Sequence, residues 1–266
     1  MNINNKLKAV AVEAAIASGQ LLKSRLGRIK KLSFKDSGTT NIVTDVDKKS
    51  EEMIIKKIKA AFPLHHILAE ESGRNHIESE YSWFIDPLDG TTNFVHSFPF
   101  FCVSIAVQRA GRIITGVVYD PMREELFLAE EGRPSSLNRR RIKVSPVNKI
   151  RNSLLATGFA YDVNKSCAHD NIDNFARLLK ASQAIRRAGS AALDLCYVAC
   201  GRFEGYWELD LKPWDTAAAS FIVQQAGGKV TRFNGAAHSP YDKNILATNG
   251  RIHKDMIKVL KGSCPV

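Results

Sequence analysis

The sequence predicts an α+β or layered α/β fold with sheets packed between helices. Three observations carry this. Segments with apolar residues at helical spacing alternate with β-rich runs along the 266-residue chain. The hydrophobic fraction of 44% is ordinary for a globular protein, and at this length it can fill one large core or two intimate halves. No internal repeat, low-complexity tract or linker breaks the pattern.

Residues 3–26 carry apolar groups at helical spacing, and Gly27 supplies a stop. A short strand over Ile29–Phe34 and a loop over Lys35–Thr40 follow. Asp45-Val46-Asp47 precedes a second helix, Lys48–Ala61, closed by Pro63. His66–Ala69 reads as a buried strand ending at Glu70-Glu71, and Ser82–Ile85 as another ending at Asp86. Cys102–Arg109 and Ile113–Tyr119 alternate around Ala110-Gly111, a hairpin signal, and Glu125–Ala129 adds a strand. Residues 133–141 read as an exposed basic loop. Leu154–Thr157 is a strand and Asp170–Ser182 a helix. Ala191–Cys200 is a small-residue helix suited to close packing. Phe203–Leu209 is a strand, and Thr216–Ala226 a helix ended by Gly227-Gly228.

Composition narrows the function classes. No apolar stretch is long enough to span a bilayer, and the N-terminal segment reads as an amphipathic helix rather than a secretion signal. The five cysteines are odd in number and lack zinc-ribbon spacing. Cys196 and Cys200 fall one turn apart in an apolar run, where core packing outweighs a metal role. A reducing, cytoplasmic setting fits. The net charge of +11 draws anions: phosphorylated metabolites, nucleic acid or acidic lipids. Lys30-Lys31, Arg139-Arg140-Arg141 and Arg186-Arg187 concentrate that charge, with no zinc finger or RNA-binding aromatic signature beside them.

The chemistry centres on Trp83-Phe-Ile-Asp86-Pro-Leu-Asp89-Gly-Thr-Thr-Asn93-Phe. Two carboxylates three apart suit a hard cation such as Mg²⁺. Gly90-Thr91-Thr92 reads as a helix start whose free N–H groups suit a phosphate. Asp47, Glu70 and Asp215 each border an apolar segment, so each can point from rigid structure into a cleft; singly, each also reads as a helix cap or solvated charge. Bunched carboxylates repel unless cations separate them. Two divalent ions can clamp a phosphate, activate a water and stabilise the leaving oxygen. No ATPase-type phosphate loop, nucleotide fingerprint or Cys or Ser nucleophile motif is present, so hydrolysis by metal-activated water is the economical reading.

At these residues the chain resembles the inositol monophosphatase family of Mg²⁺-dependent, lithium-sensitive phosphatases. One signature is the 83–94 segment; the other is Trp214-Asp215-Thr-Ala-Ala running on to Ala226-Gly227-Gly228. Val43-Thr44-Asp45-Val46-Asp47 and Ala69-Glu70-Glu71-Ser72 match two further blocks. The resemblance covers roughly residues 5 to 260 and implies a layered αβαβα sandwich of the sugar-phosphatase type. It implies a single domain over residues 1–266, with two intimately packed halves dividing near residue 150, and a homodimer. It further implies that Glu70, Asp86 and the Leu88 carbonyl hold a first Mg²⁺ and that Asp86, Asp89 and Asp215 hold a second. A third, weaker Mg²⁺ would lean on Glu70 through water. Thr91 with Asp47 would orient the attacking water, and the N–H groups of Gly90 and Thr91 would bind phosphate. Gly189, Ser190 and Ala191 match the backbone-contact segment for the sugar or inositol ring. Glu208 falls on the acceptor of ring hydroxyls, and Asp89 would also touch a hydroxyl. The expected substrate is inositol 1-phosphate or a similar polyol phosphate.

Relatives hydrolyse fructose 1,6-bisphosphate, 3′-phosphoadenosine 5′-phosphate, NADP or histidinol phosphate, so these stay open. Pro134 and Arg139 depart from the small residues the family has in that loop. Arg186-Arg187-Ala-Gly-Ser-Ala-Ala-Leu-Asp194-Leu resembles the bacterial branch that includes extragenic suppressor proteins. That branch implies a contact with RNA or a transcription complex as a rival role.

Overall fold

The computed structural model describes residues 2–29, 31–35, 41–160 and 171–262. Lys30, most of the expected 35–40 loop, Asp170, Cys167 and Cys264 lie outside the described residues.

Helix α1 (Ile3–Arg25) opens on Asn2, whose side chain accepts from Asn4 N at 3.2 Å. A small ribbon follows, β1 (Leu32–Phe34) against β2 (Ile42–Thr44). Helix α2 (Asp45–Ala61) starts three residues earlier than its apolar spacing predicts. Thr44 is its N-cap, and Thr44 and Asp47 close a capping box. Asp47 therefore belongs to the helix's first turn and is fully buried.

The large sheet is built from β3 (His66–Ala69), β4 (Gly73–Arg74), β5 (Tyr81–Asp89), β6 (Cys102–Arg109), β7 (Arg112–Asp120), β8 (Glu125–Glu130), β9 (Ser136–Leu137) and β10 (Arg140–Arg141). The five-residue helix α3 (Thr91–Val95) follows β5. The sheet's order is β10-β9-β8-β7-β6-β5-β3-β4, with β3 and β5 parallel and the other pairs antiparallel. β5 runs three residues past its expected end, through an irregular register between Asp86 and Asp89. Proline lacks an N–H for the ladder, and Pro87 is tolerated at such a point. The expected basic loop over 133–141 is instead a tight hairpin. Asn138 and Arg139 both take positive φ (49° and 67°), and the Asn138 side chain bonds Leu126 N and Glu124 O.

The second sheet comprises β11 (Leu154–Thr157), β12 (Ala184–Arg186), β13 (Gly205–Leu209), β14 (Lys229–Thr231) and β15 (Asn244–Thr248). Its order is β12-β11-β13-β15-β14. Helices α4 (Ile172–Ala181), α5 (Ala191–Ala199), α6 (Pro213–Gln225) and α7 (His253–Leu260) accompany it. β14, β15 and α7 are elements that sequence spacing did not predict.

The alternation along buried strands sorts these parts into five layers. On β5, Trp83 and Ile85 join a core with Leu7, Leu22, Ile54 and Ile58 of α1 and α2. Phe84 points the other way, into a core with α5 and α6. On β13, Tyr206 faces that central core, while Trp207 packs with Leu178 of α4 and Met256 of α7. The order is therefore α1/α2, large sheet, α5/α6, small sheet, α4/α7, the αβαβα sandwich. Burying a large apolar side chain stabilises by about 1.5–3 kcal/mol, so the fully buried Trp83, Phe84, Tyr206 and Trp207 anchor the layers. The small residues of the central helices permit close approach. A Cβ on Gly116 of β7 would stand 2.6 Å from the Ala218 carbonyl oxygen of α6.

Candidate active site

The end of β5, the turn after β3, the start of α5, the end of β13 and the start of α6 converge on one cavity of about 780 Å³. Its wall includes Glu70, Asp86, Leu88, Asp89, Gly90, Thr91, Gly189, Ser190, Ala191, Glu208 and Asp215. Of the residues singled out in the sequence, Asp47 alone stands outside the wall, buried behind Thr91.

Each acid is placed by its own local structure. Glu70 leaves β3 with its N–H donating to Ile85 O at 3.1 Å. Glu51 of α2 clamps the next turn, accepting from Glu71 N and Ser72 N at 2.8 Å each. Asp86 sits on β5 and accepts from Leu88 N at 3.0 Å, while Ser50 Oγ donates to Pro87 O at 2.8 Å. Asp89 Oδ2 accepts from Ser190 Oγ at 2.6 Å and Ala192 N at 2.7 Å. Asp215 is the third residue of α6 rather than its N-cap, because the helix starts at Pro213; its Oδ2 accepts from Lys212 N at 2.7 Å. Ser104 Oγ donates to Trp214 O at 3.3 Å and ties this helix start to the strand beside Asp86.

Thr91 Oγ1 lies 3.0 Å from Asp47 Oδ1 and 3.1 Å from Leu88 O. Asp47 Oδ2 is held by Thr44, through its N–H at 2.9 Å and its hydroxyl. Gly90 adopts φ +97°, a conformation that suits glycine, and Phe94 N makes the first bond back to Gly90 O at 3.0 Å. The N–H groups of Gly90 and Thr91 thus precede the first intrahelical bond. Helix α3 has five residues, so the turn offers N–H groups with little macrodipole behind them.

Ser190 caps α5 as well as gripping Asp89, and Gly189 takes φ +89°. Asn93 Nδ2 donates to Phe100 O at 2.7 Å and Ala188 O at 2.8 Å, joining α3 to the 188–190 turn. Glu208 accepts from Tyr206 Oη and lies directly over Gly158, where any Cβ would collide with its carboxylate.

Burial and crowding set the electrostatics. Burial, then the charges of Glu70, Asp89 and Asp215, push Asp86 well above the usual carboxylate range. Burial, then Glu70, does the same to Asp215. Burial lifts Asp89 despite donors from Ser190 and Ala192. Burial raises Glu70 to about 7 although the Lys35 ammonium stands 2.6 Å away. Glu208 is raised to about 7, mainly by burial, and Asp47 is raised for the same reason.

Among the described residues no three His, Cys, Asp or Glu side chains stand together as a ready-made metal cluster. Each acid is held on a protein donor instead: Glu70 on Lys35, Asp86 on Leu88, Asp89 on Ser190 and Asp215 on Lys212. The donor set nevertheless fits a hard divalent cation, since every available atom is a carboxylate or carbonyl oxygen. Cations would also relieve the mutual repulsion that raises these groups.

Sequence reasoning did not single out Lys35, Gly158, Tyr206 or Lys212 as parts of this site. Asn93 lay inside a quoted motif without a role. Lys35 and Gly158 carry no local signal because Glu70 and Glu208 come from distant segments, while Tyr206 and Lys212 stand two and three residues from Glu208 and Asp215 without a motif that marks them.

Comparison with known proteins agrees with the geometry. The sequence model of the inositol monophosphatase family matches residues 3–263. An inositol-1-monophosphatase of Synechocystis sp. is 44% identical over 252 residues, covering 94% of this chain and 87% of that protein. A protein named Nus factor SuhB of Escherichia coli K12 is 42% identical over 249 residues, covering 93% of each. The structure of an inositol monophosphatase from Anabaena (Nostoc) superposes with a TM-score of 0.89 at 42% identity, over 100% of this chain and 99% of that one. With sequence, layer order and cavity in agreement, the chain belongs to the inositol monophosphatase family.

Proposed function

We propose that this chain is a Mg²⁺-dependent phosphate monoester hydrolase acting on inositol 1-phosphate or a similar polyol or sugar phosphate. The observation that carries the reading is the meeting of Glu70, Asp86, Asp89 and Asp215 with Gly90 and Thr91 in one cavity that also contains Glu208. Glu70, Asp86 and the Leu88 carbonyl would hold one Mg²⁺; Asp86, Asp89 and Asp215 would hold a second; a third would lean on Glu70 through water. Bound Mg²⁺ would supply Lewis acidity toward phosphoryl oxygens and acidify water near neutral pH.

The chain's own groups do the rest. The single hydrogen of Thr91 Oγ1 can go to Asp47 Oδ1 or to Leu88 O. Either choice leaves the hydroxyl's lone pairs free to accept a hydrogen from the attacking water and fix its direction. The N–H groups of Gly90 and Thr91 hold phosphoryl oxygens. Glu208 accepts a hydroxyl of the ring, and the Gly189–Ala191 turn borders the ring against α5. The reading carries a cytoplasmic homodimer and inhibition by lithium with it.

Phosphate release from inositol 1-phosphate, with and without Mg²⁺, tests this. Asp89→Asn should lower kcat by several orders of magnitude, and near-wild-type turnover of that variant at saturating Mg²⁺ would sink the site.

The likeness to Nus factor SuhB favours a second reading, contact with RNA or a transcription complex. Arg139, Arg140, Arg141, Arg186 and Arg187 are exposed and supply charge for it. Such binding would survive Asp89→Asn, weaken when Arg186 and Arg187 lose their charge, and fall steeply with salt. No detectable binding near physiological salt would remove this reading.

A further inference from the structure

The cavity contains one buried acid that the proposed reaction leaves unused. Asp194 lies in α5 and lines the wall beside Glu208. It is 1% exposed, and its Oδ1 is buried without a hydrogen-bond partner. The acids of the proposed metal site each have a protein donor, and Glu208 has Tyr206.

The charges acting on Asp194 sharpen the anomaly. Glu208 and Asp89 are both acidic, and among the described residues the favourable charge is the Arg187 guanidinium at the cavity wall. The fold gains nothing obvious from a carboxylate here. Its helical neighbours Ala191, Ala192, Leu193 and Leu195 are apolar and buried, so an apolar residue would continue the pattern. A buried acceptor without a donor is destabilising, which leaves a ligand as its natural complement.

Glu208 shows what kind of ligand. Tyr206 Oη occupies its Oε2, leaving Oε1 as the acceptor still open. One open oxygen on Glu208 serves one hydroxyl of a substrate, and Asp194 offers a second acceptor on the same wall.

We propose that Asp194 is a specificity-determining residue that pairs with Glu208 to accept two hydroxyl groups of the substrate's polyol part. The site then selects phosphate esters with at least two free hydroxyls and discriminates against esters without them. This rests on the phosphatase reading. A site built to hydrogen-bond a hydroxyl rejects the analogue lacking it far more strongly than an apolar pocket rejects a lost methylene.

The test compares kcat/KM for inositol 1-phosphate with kcat/KM for ethyl phosphate, which has the ester but no hydroxyl, in wild type and Asp194→Ala, which removes the acceptor. The expected result is a wild-type preference for inositol 1-phosphate that falls tenfold or more in the variant, mainly through KM. A smaller fall, or no wild-type preference, would overturn the proposal. Asp194→Leu adds a readout independent of activity. It should leave the melting temperature unchanged or raise it, because it removes a buried unpaired acceptor. A clear drop in melting temperature, or failure of both variants to fold, would make Asp194 structural and overturn the proposal as well. Absence of Mg²⁺-dependent phosphate release from either ester by the wild type would instead overturn the phosphatase reading beneath it.

Discussion

Replacing Gly116 by alanine adds one methyl group where β7 meets α6. The new Cβ would stand 2.6 Å from the Ala218 carbonyl oxygen and 3.2 Å from Ala218 Cα. Ordinary contact begins near 3.4 Å, so helix and strand must part by about 0.8 Å. The obstacle is backbone, and no rotamer change relieves it. Overpacking of this kind costs about 1–3 kcal/mol. Alanine recovers up to ~1 kcal/mol of that, because glycine loses more conformational entropy on folding. A net loss of about 1–2 kcal/mol lowers Tm by about 2–8 °C for a chain of this size. The same displacement reaches the proposed metal site, because Asp215 rides on the first turn of α6. Thermal unfolding and Mg²⁺ titration of phosphate release should therefore change together, with a lower Tm and a several-fold higher Mg²⁺ midpoint. An unchanged Tm would refute the packing argument. A lowered Tm with an unchanged midpoint would refute the link between the seat of α6 and the placing of Asp215.

Asp47→Asn should lower kcat by about 10²–10⁴-fold with a smaller effect on KM, the usual range for a group that directs proton transfer; a kcat within threefold of wild type would remove the Asp47–Thr91 pair from water positioning. Gly158→Ala drives a Cβ into the Glu208 carboxylate, whose neighbouring backbone is fixed by Asn171 Nδ2 donating to Gly158 O at 2.8 Å. KM should rise for inositol 1-phosphate more than for ethyl phosphate, and equal rises would speak against Glu208 as a ring contact. His253 is buried between Thr231 Oγ1 at 2.9 Å and Thr248 Oγ1 at 2.8 Å, and burial, then Lys229, lowers it to about 4. The unfolded chain then binds more protons than the native one between about pH 6.5 and 4, so this stability is complete above 6.5 and lost as pH falls through 4. The Tm difference between pH 7 and pH 5 should shrink in His253→Gln, and an unchanged difference would show that His253 does not control it.

Periodicity made helices packed on sheets legible, and the layer order itself came from the family resemblance, since β14, β15 and α7 carried no signal of their own. Trp83, Phe84 and Ile85 alternate between two cores, and Ala217–Ala219 mark a helix that packs closely. Less was legible where polar residues mask the pattern. The arginines of 139–141 hid a hairpin whose turn depends on Asn138 and Arg139 taking positive φ. Thr44 began a helix that apolar spacing placed at Lys48, because the capping box, rather than the core, sets that boundary. Within the site, the 86–91 segment announced itself by density of function. Spacing could not join it to Glu70 and Asp215, since only tertiary folding places those acids together. Asp194 was hidden by its setting, an apolar helix in which one acid reads as a surface charge until its burial is known.

The irregular register at Pro87-Leu88 decides which side of the large sheet holds both aspartates of the candidate site. Along β5, Phe84 and Asp86 share the α5/α6 side, and residues of odd number face α1 and α2. By that parity Asp89 would point into the α1/α2 core. Asp86 pairs with Ser104 but Asp89 with Cys102, three residues on one strand against two on the other. The extra residue reverses the phase, and Asp89 emerges beside Asp86, within reach of Ser190. The interval and the bulge therefore act as one unit. Keeping three residues without the bulge would turn Asp89 into the α1/α2 core, and a one-residue deletion keeps both carboxylates on one side only by removing the bulge with it, so neither can change without the other.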